Sequence, residues 1–246
     1  MAEPGGQAAL RRALLAELLG SALLAALVIG SGIAAQRLSP DDTGLRLLEN
    51  AAATAVGLFA LILVFGPVSG AHFNPVVSFA AAALGELSWR DAVAYLPAQV
   101  GGCVGGAALA NVMFSLDAVS IATTARTSAA HGVSEVVATA GLVLVIFALV
   151  RSGRAERAPA AVGAYIGAAY WFTSSTSFAN PAITVGRVFS DTFAGIAPAS
   201  VALFVGAQLV GGGLAVLLVR VLYPSAAPPV PAVDGLASGA VLSSAR

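Results

Sequence analysis

The residues in this chain best suited to chemistry come in pairs. Asn74-Pro75 and Asn180-Pro181 lie 106 positions apart, each followed by a small apolar residue, Val76 or Ala182, and each set in apolar sequence. Proline at the first position of a helix forgoes an N–H that would have no partner there, and asparagine before it is a favoured cap whose side-chain oxygen accepts from the next turn. With that oxygen engaged, the amide N–H2 points outward as a donor, backed by the positive end of the helix dipole. Two such ends brought together repel cations and offer hydrogen bonds to neutral polar oxygen. Catalysis is not indicated: no group of His, Cys, Asp or Glu has metal-ligand spacing, and no nucleophile elbow or phosphate loop occurs, so the sequence calls for no metal, no cofactor and no enzyme activity.

A second set of ionisable residues lies in or beside apolar sequence. Glu17 and Glu135 fall within long apolar stretches, where a carboxylate is costly unless partnered. The reading preferred here is structural, each carboxylate accepting hydrogen bonds from an irregular loop, over a proton relay. His72, two residues before Asn74, either braces its loop or lines a vestibule. His131, at the end of an apolar stretch, is read as a surface residue. Arg187 follows Asn180 at seven positions, so it either reaches the mouth of a pore or pairs with an acid such as Asp191. The single cysteine, Cys103, lies in an apolar run and is read as packing.

The elements that must position these groups are membrane helices. Of 246 residues, 58% are hydrophobic and 10% charged, with a mean hydropathy of +0.90. Six stretches reach the roughly 20 residues that a spanning helix needs: 13–35, 50–68, 92–113, 132–150, 159–176 and 200–223. Two shorter apolar pieces, 75–84 and 181–193, begin at the Asn-Pro pairs and have the length of re-entrant half-helices. The 12 acidic residues balance 12 basic ones, all of them arginine, so net charge gives no reason to expect nucleic acid as a partner. Arginine placement sets orientation: Arg11, Arg12, Arg90, Arg151, Arg154, Arg157, Arg220 and Arg246 fall on one side, and Arg37, Arg46 and Arg126 on the other. That eight-to-three split puts both termini in the cytoplasm of a cell whose inner (plasma) membrane holds the protein. Residues 1–12 then form a cytoplasmic N-terminus, 13–223 the membrane domain, and 224–246, rich in Pro, Ala, Ser and Gly, a disordered cytoplasmic tail.

The chain also repeats. Glu17 and Glu135, the two Asn-Pro pairs, and Gln99 and Gln208 in "PAQVGG" and "GAQLVGG" recur in the same order at offsets of 118, 106 and 109. Each half, about 13–113 and 132–223, holds three spans and one half-helix. An odd number of spans forces the second half to insert upside down, which gives an inverted 3+3 repeat about an axis in the membrane plane. Irregular backbone at membrane depth survives only where it lines a water-filled cavity or is buried in protein, so the two broken segments mark a pore or binding site. The glycines of "GGCVGG" and "GAQLVGGG" have the small-xxx-small spacing that lets helices approach closely.

Six spans with "SGAHFNPVV" and "STSFANPAI" as paired re-entrant loops, and a glutamate in the first span of each half, resemble the major intrinsic proteins, the aquaporin and aquaglyceroporin family. The resemblance covers about 14–223 and departs from the usual Asn-Pro-Ala at Val76. It implies an all-helical channel with Asn74, Pro75, Val76, Asn180, Pro181 and Ala182 at the central constriction, and commonly a homotetramer with one pore per subunit. The family's narrow filter has arginine three residues after the second asparagine, where this chain has Ile183. Counting from each asparagine places the other filter positions at Thr54, Ala168 and Ser177. A ring of Thr54, Ala168, Ser177 and Ile183 is small-sided and lacks an aromatic or fixed charge. It implies passage of small polyols, urea-like solutes and undissociated metalloid acids such as arsenite as well as water, as in bacterial members with small-residue filters. A water-selective channel, narrowed again by Arg187 or Trp171, is the alternative, and a secondary transporter is a more distant one.

Overall fold

The structure is a computed structural model that describes residues 4–224, and the side chains from residue 7 onward. The tail expected over 224–246 lies, but for Pro224, outside the described residues. Eight α-helices make up the fold: α1 Pro4–Leu38, α2 Thr43–Ser69, α3 Pro75–Leu84, α4 Trp89–Met113, α5 Ala129–Arg151, α6 Ala158–Phe172, α7 Pro181–Gly186 and α8 Pro198–Leu222. Short 3-10 turns at Ala155–Arg157 and Arg187–Phe189 precede α6 and follow α7. Among the described residues there is no strand.

Helix starts follow local chemistry. Asp42 accepts from the Leu45 N–H at 2.8 Å, Ser88 from Asp91 at 3.0 Å and Ser128 from His131 at 3.2 Å, each satisfying a first-turn donor that the helix cannot. Five helices are long and apolar enough to cross a bilayer. The sixth crossing, α6, has 15 residues, about 22 Å at 1.5 Å per residue, so it ends before the span expected to reach residue 176. It stops because Thr173 turns extended at φ −115° and ψ 137° and starts a loop that descends to Asn180. Large apolar side chains such as Leu15, Val56, Val64, Leu217 and Val221 stand on outer faces, the arrangement of a protein solvated by lipid.

The two halves pack alike. α1 lies against α2 and α4, α5 against α6 and α8, and α2 against α6 across the middle. Glycine makes these crossings close: a Cβ at Gly102 would sit 2.3 Å from the Leu18 carbonyl oxygen, and one at Gly211 2.5 Å from that of Val136. The half-helices exchange partners, α3 packing on α4 and α8, and α7 on α4 and α8. Both described ends of the chain lie on one side of the bundle, here called the terminal side.

Two boundaries differ from expectation. α1 begins at Pro4, nine residues before the span expected over 13–35. The second half-helix ends at Gly186, well short of residue 193. Beyond it the carbonyls of Val188 and Phe189 accept from Ala122 and Ser120 of the α4–α5 connection, and that of Arg187 accepts from Ile196. Those pairings replace the i to i+4 bonds that would have continued the helix.

Candidate pore and filter

The half-helices meet at their N-termini. Asn74 caps α3, its Oδ1 accepting from Val76 N–H at 3.0 Å; Asn180 caps α7, its Oδ1 accepting from Ala182 and Ile183 at 2.9 and 3.3 Å. Pro75 and Pro181 occupy the first helical positions. Each amide nitrogen then reaches across: Asn74 Nδ2 donates to the Ala179 carbonyl and Asn180 Nδ2 to the Phe73 carbonyl, both at 2.7 Å. The sequence reading left both N–H groups of each amide free. One on each is instead spent joining the two loops, which leaves one per asparagine toward the cavity that both residues line.

The two buried glutamates hold the descending loops in matching ways. Glu17 accepts from Ser69 Oγ, His72 N–H, Phe73 N–H and Gln99 Nε2 at 2.6, 2.9, 2.7 and 2.7 Å. Glu135 accepts from Ser175 Oγ, Phe178 N–H, Ala179 N–H and Gln208 Nε2 at 2.6, 2.9, 2.8 and 2.6 Å. Four donors saturate a carboxylate, so neither oxygen is left to shuttle protons. The same loops hold five of the six non-glycine residues with positive φ among those described: Ala71, Phe73, Thr176, Ser177 and Ala179, at +48° to +61°. That backbone costs energy at residues with a side chain and persists because the carboxylates fix the N–H groups on either side of each turn.

His72 braces as well as lines. Its Nδ1 lies 3.0 Å from Ser78 Oγ, its ring meets Tyr95 edge-on at 5.7 Å, and it borders the cavity. Applying the offset of 106 maps His72 onto Phe178, which meets Phe204 edge-on at 5.0 Å. His131 sits at the start of α5 and its Nδ1 lies 3.0 Å from Ser128 Oγ.

A cavity of about 590 Å3 runs from Glu86 and Glu156 on the terminal side, past His72, Asn74 and Asn180, to Thr54, Tyr170, Ser177, Phe178, Ile183 and Arg187. Of the four filter positions expected, Thr54, Ser177 and Ile183 line it, at 2%, 4% and 4% exposure. Ala168 does not, and is corrected here: it is exposed on the outer face of α6, while Ile166 and Tyr170 face inward. The loop from α6 to Asn180 sets which face turns in, and position 168 falls on the wrong side of a 3.6-residue turn.

An aromatic therefore stands beside these positions in the cavity lining. Tyr170 OH lies 3.2 Å from Thr54 Oγ1. A fixed charge stands there too, since Arg187 is 2% exposed and lines the cavity. The Arg187 guanidinium lies 3.5 Å from the Phe178 ring centroid, and its Nε donates to the Ala194 carbonyl. Asp191, the alternative partner, instead accepts from Thr123 N–H and Oγ1 at 2.9 and 3.0 Å. Arg126 approaches the same Phe178 ring at 5.2 Å; burial pulls its guanidinium below the usual arginine range, with Glu135 acting the other way. Tyr170 and Phe178 went unnoticed in the sequence. The repeat offset that pairs Phe178 with His72 was the signal for one of them.

Paired half-helices joined at their asparagine caps inside an inverted six-helix bundle, with a cavity passing the junction, define a multi-pass membrane channel for water and small solutes. The model of the major intrinsic protein family matches residues 6–178, and the chain belongs to that family. It is 48% identical over 219 residues to aquaglyceroporin AqpS of Rhizobium meliloti (strain 1021), covering 89% of this chain and 93% of that one. Probable aquaporin TIP2-2 of Oryza sativa subsp. japonica is 29% identical over 88% of this chain and 89% of its own. Among solved structures, the aquaglyceroporin from Plasmodium falciparum superposes with a TM-score of 0.66 at 20% identity, covering 86% of this chain and 95% of that one, a likeness of fold.

Proposed function

We infer that this protein is a passive channel for small neutral solutes, passing polyols such as glycerol and undissociated metalloid acids such as arsenite as well as water. The observation that carries this reading is the position of Ile183. It lines the cavity beside Ser177 where the family's filter has arginine, and the chain's own arginine stands four residues further along. Moving the long cation outward leaves an apolar branched side chain at that position, with the Thr54 and Tyr170 hydroxyls on the same lining, a surface that accepts the carbon face of a polyol and hydrogen-bonds its oxygens. The similarity to a protein described as an aquaglyceroporin supports the same solute class. The arginine distribution supports cytoplasmic termini in an inner (plasma) membrane, and the apolar outer faces suit both lipid and the homotetramer common in the family.

Permeabilities to water, glycerol and arsenite, measured in one preparation of proteoliposomes by stopped-flow light scattering and arsenic uptake, test this. All three should exceed those of empty vesicles. Water flux alone would overturn the reading in favour of a water-selective channel, which Tyr170 and Arg187 at the same end of the cavity favour. Saturable uptake that depends on a proton gradient would instead indicate a carrier.

A further inference from the structure

The end of the cavity away from the chain termini is lined by donors and, among the described residues, by no carboxylate. Arg187 is 98% buried by its 2% exposure, yet only its Nε has a hydrogen-bond partner among the described residues, the Ala194 carbonyl. Its guanidinium carbon lies 3.5 Å from the Phe178 ring centroid, and the residue borders the cavity. Arg126 adds a second guanidinium over the same ring. Thr54 and Tyr170 supply hydroxyls to the lining, and Ser177 Oγ is buried without a partner. Glu135 is committed to its loop and Asp191 to Thr123, and Glu49, whose Oε2 has no partner among the described residues, lies outside the cavity lining. The terminal N–H groups of Arg187 have no protein partner among those residues and are not sealed from the cavity, and the ligand that best matches their planar fork is an anion with at least two oxygens.

We propose that this mouth binds a small oxyanion, a phosphate- or carboxylate-sized ion, at Arg187, and that the bound ion plugs the channel against neutral solutes. The ion does not continue inward. Beyond Ile183 the cavity wall is apolar at Val28, Leu58, Leu142, Phe147 and Ile166 and polar at Asn74, Asn180 and His72; one free N–H on each asparagine does not replace the hydration shell an anion would lose there. The site thus acts as a stopper set by the oxyanion concentration on one side of the membrane. This proposal rests on the channel reading above, but it can fail separately.

The test is glycerol flux in proteoliposomes with sodium phosphate on both sides, against osmotically matched sodium chloride. If the dissociation constant is about 1 mM, phosphate at roughly tenfold excess fills about nine-tenths of the sites and slows glycerol flux about tenfold. Each variant is scored by its own ratio with and without phosphate: Arg187→Gln should lose the block, and Arg126→Gln should weaken it. Phosphorus NMR line broadening on the purified full chain measures binding independently of flux, and should vanish in Arg187→Gln. Wild-type glycerol flux that phosphate leaves unchanged, or broadening equal in wild type and Arg187→Gln, overturns the proposal. Absence of wild-type flux with Arg187-dependent broadening refutes the channel reading while upholding the site.

Discussion

Replacing Glu135 by Gln changes one oxygen to N–H2 and should disable the second half of the channel. Each Glu135 oxygen accepts two donors: Oε1 from Ser175 Oγ and Phe178 N–H, Oε2 from Ala179 N–H and Gln208 Nε2. Wherever the new amide nitrogen settles, it faces two of them. The Ser175 hydroxyl can rotate, and Gln208 can flip its amide, since its Oε1 has no partner at present. A backbone N–H can do neither. At least one of Phe178 or Ala179 therefore loses its acceptor in a buried site, which costs about 1–3 kcal/mol, and the remaining bonds lose their charge assistance, about 1 kcal/mol more. The expected loss is about 2–4 kcal/mol in reversible unfolding from mixed detergent micelles. Function should suffer as well, because the Ala179 carbonyl receives the Asn74 amide at 2.7 Å and any shift of that loop opens the central junction. Glu17→Gln should behave alike, given the matching set of four donors in the first half. Unfolding free energies within about 0.5 kcal/mol of wild type would refute the bracing argument. A pH-dependent flux that disappears in both variants would point to proton transfer instead.

The other predictions concern packing and selection. A Cβ at Gly212 would lie 2.3 Å from Val76 Cγ1, so Gly212→Ala should destabilise by about 1–3 kcal/mol through overpacking; adding Val76→Ala should restore most of it, and equal loss in single and double variants would count against a Val76–Gly212 fit. Ile183→Arg sets a long cation at the narrow level and should cut glycerol and arsenite flux while sparing water; unchanged glycerol flux would place Ile183 outside the constriction. Asn74→Asp and Asn180→Asp replace a cavity-facing donor by a negative group and should raise sodium leak in planar bilayer recordings. Unchanged conductance would argue against their place at the cation barrier.

Much of this protein is legible in its sequence. Hydropathy over 20-residue windows is a local property, so the spans could be counted, and cap chemistry is local too, so Asn-Pro marked where the half-helices begin. The repeat of Glu, Asn-Pro and Gln implied inversion because an odd number of crossings permits nothing else. Three-dimensional packing decided the rest. Which face of α6 turns inward depends on how the residues after Phe172 travel to Asn180, and this put Tyr170 rather than Ala168 into the cavity lining. The length of α7 was settled by the α4–α5 connection, whose N–H groups take the Val188 and Phe189 carbonyls. Along the chain Arg187 could either reach the mouth of a pore or pair with an acid such as Asp191. Phe178, brought over from the opposing side of the loop, and the Ala194 carbonyl decided between them. The one-dimensional order of residues determines whatever depends on a few neighbours, while the contents of a pore wall depend on angles and loop paths summed over the whole bundle.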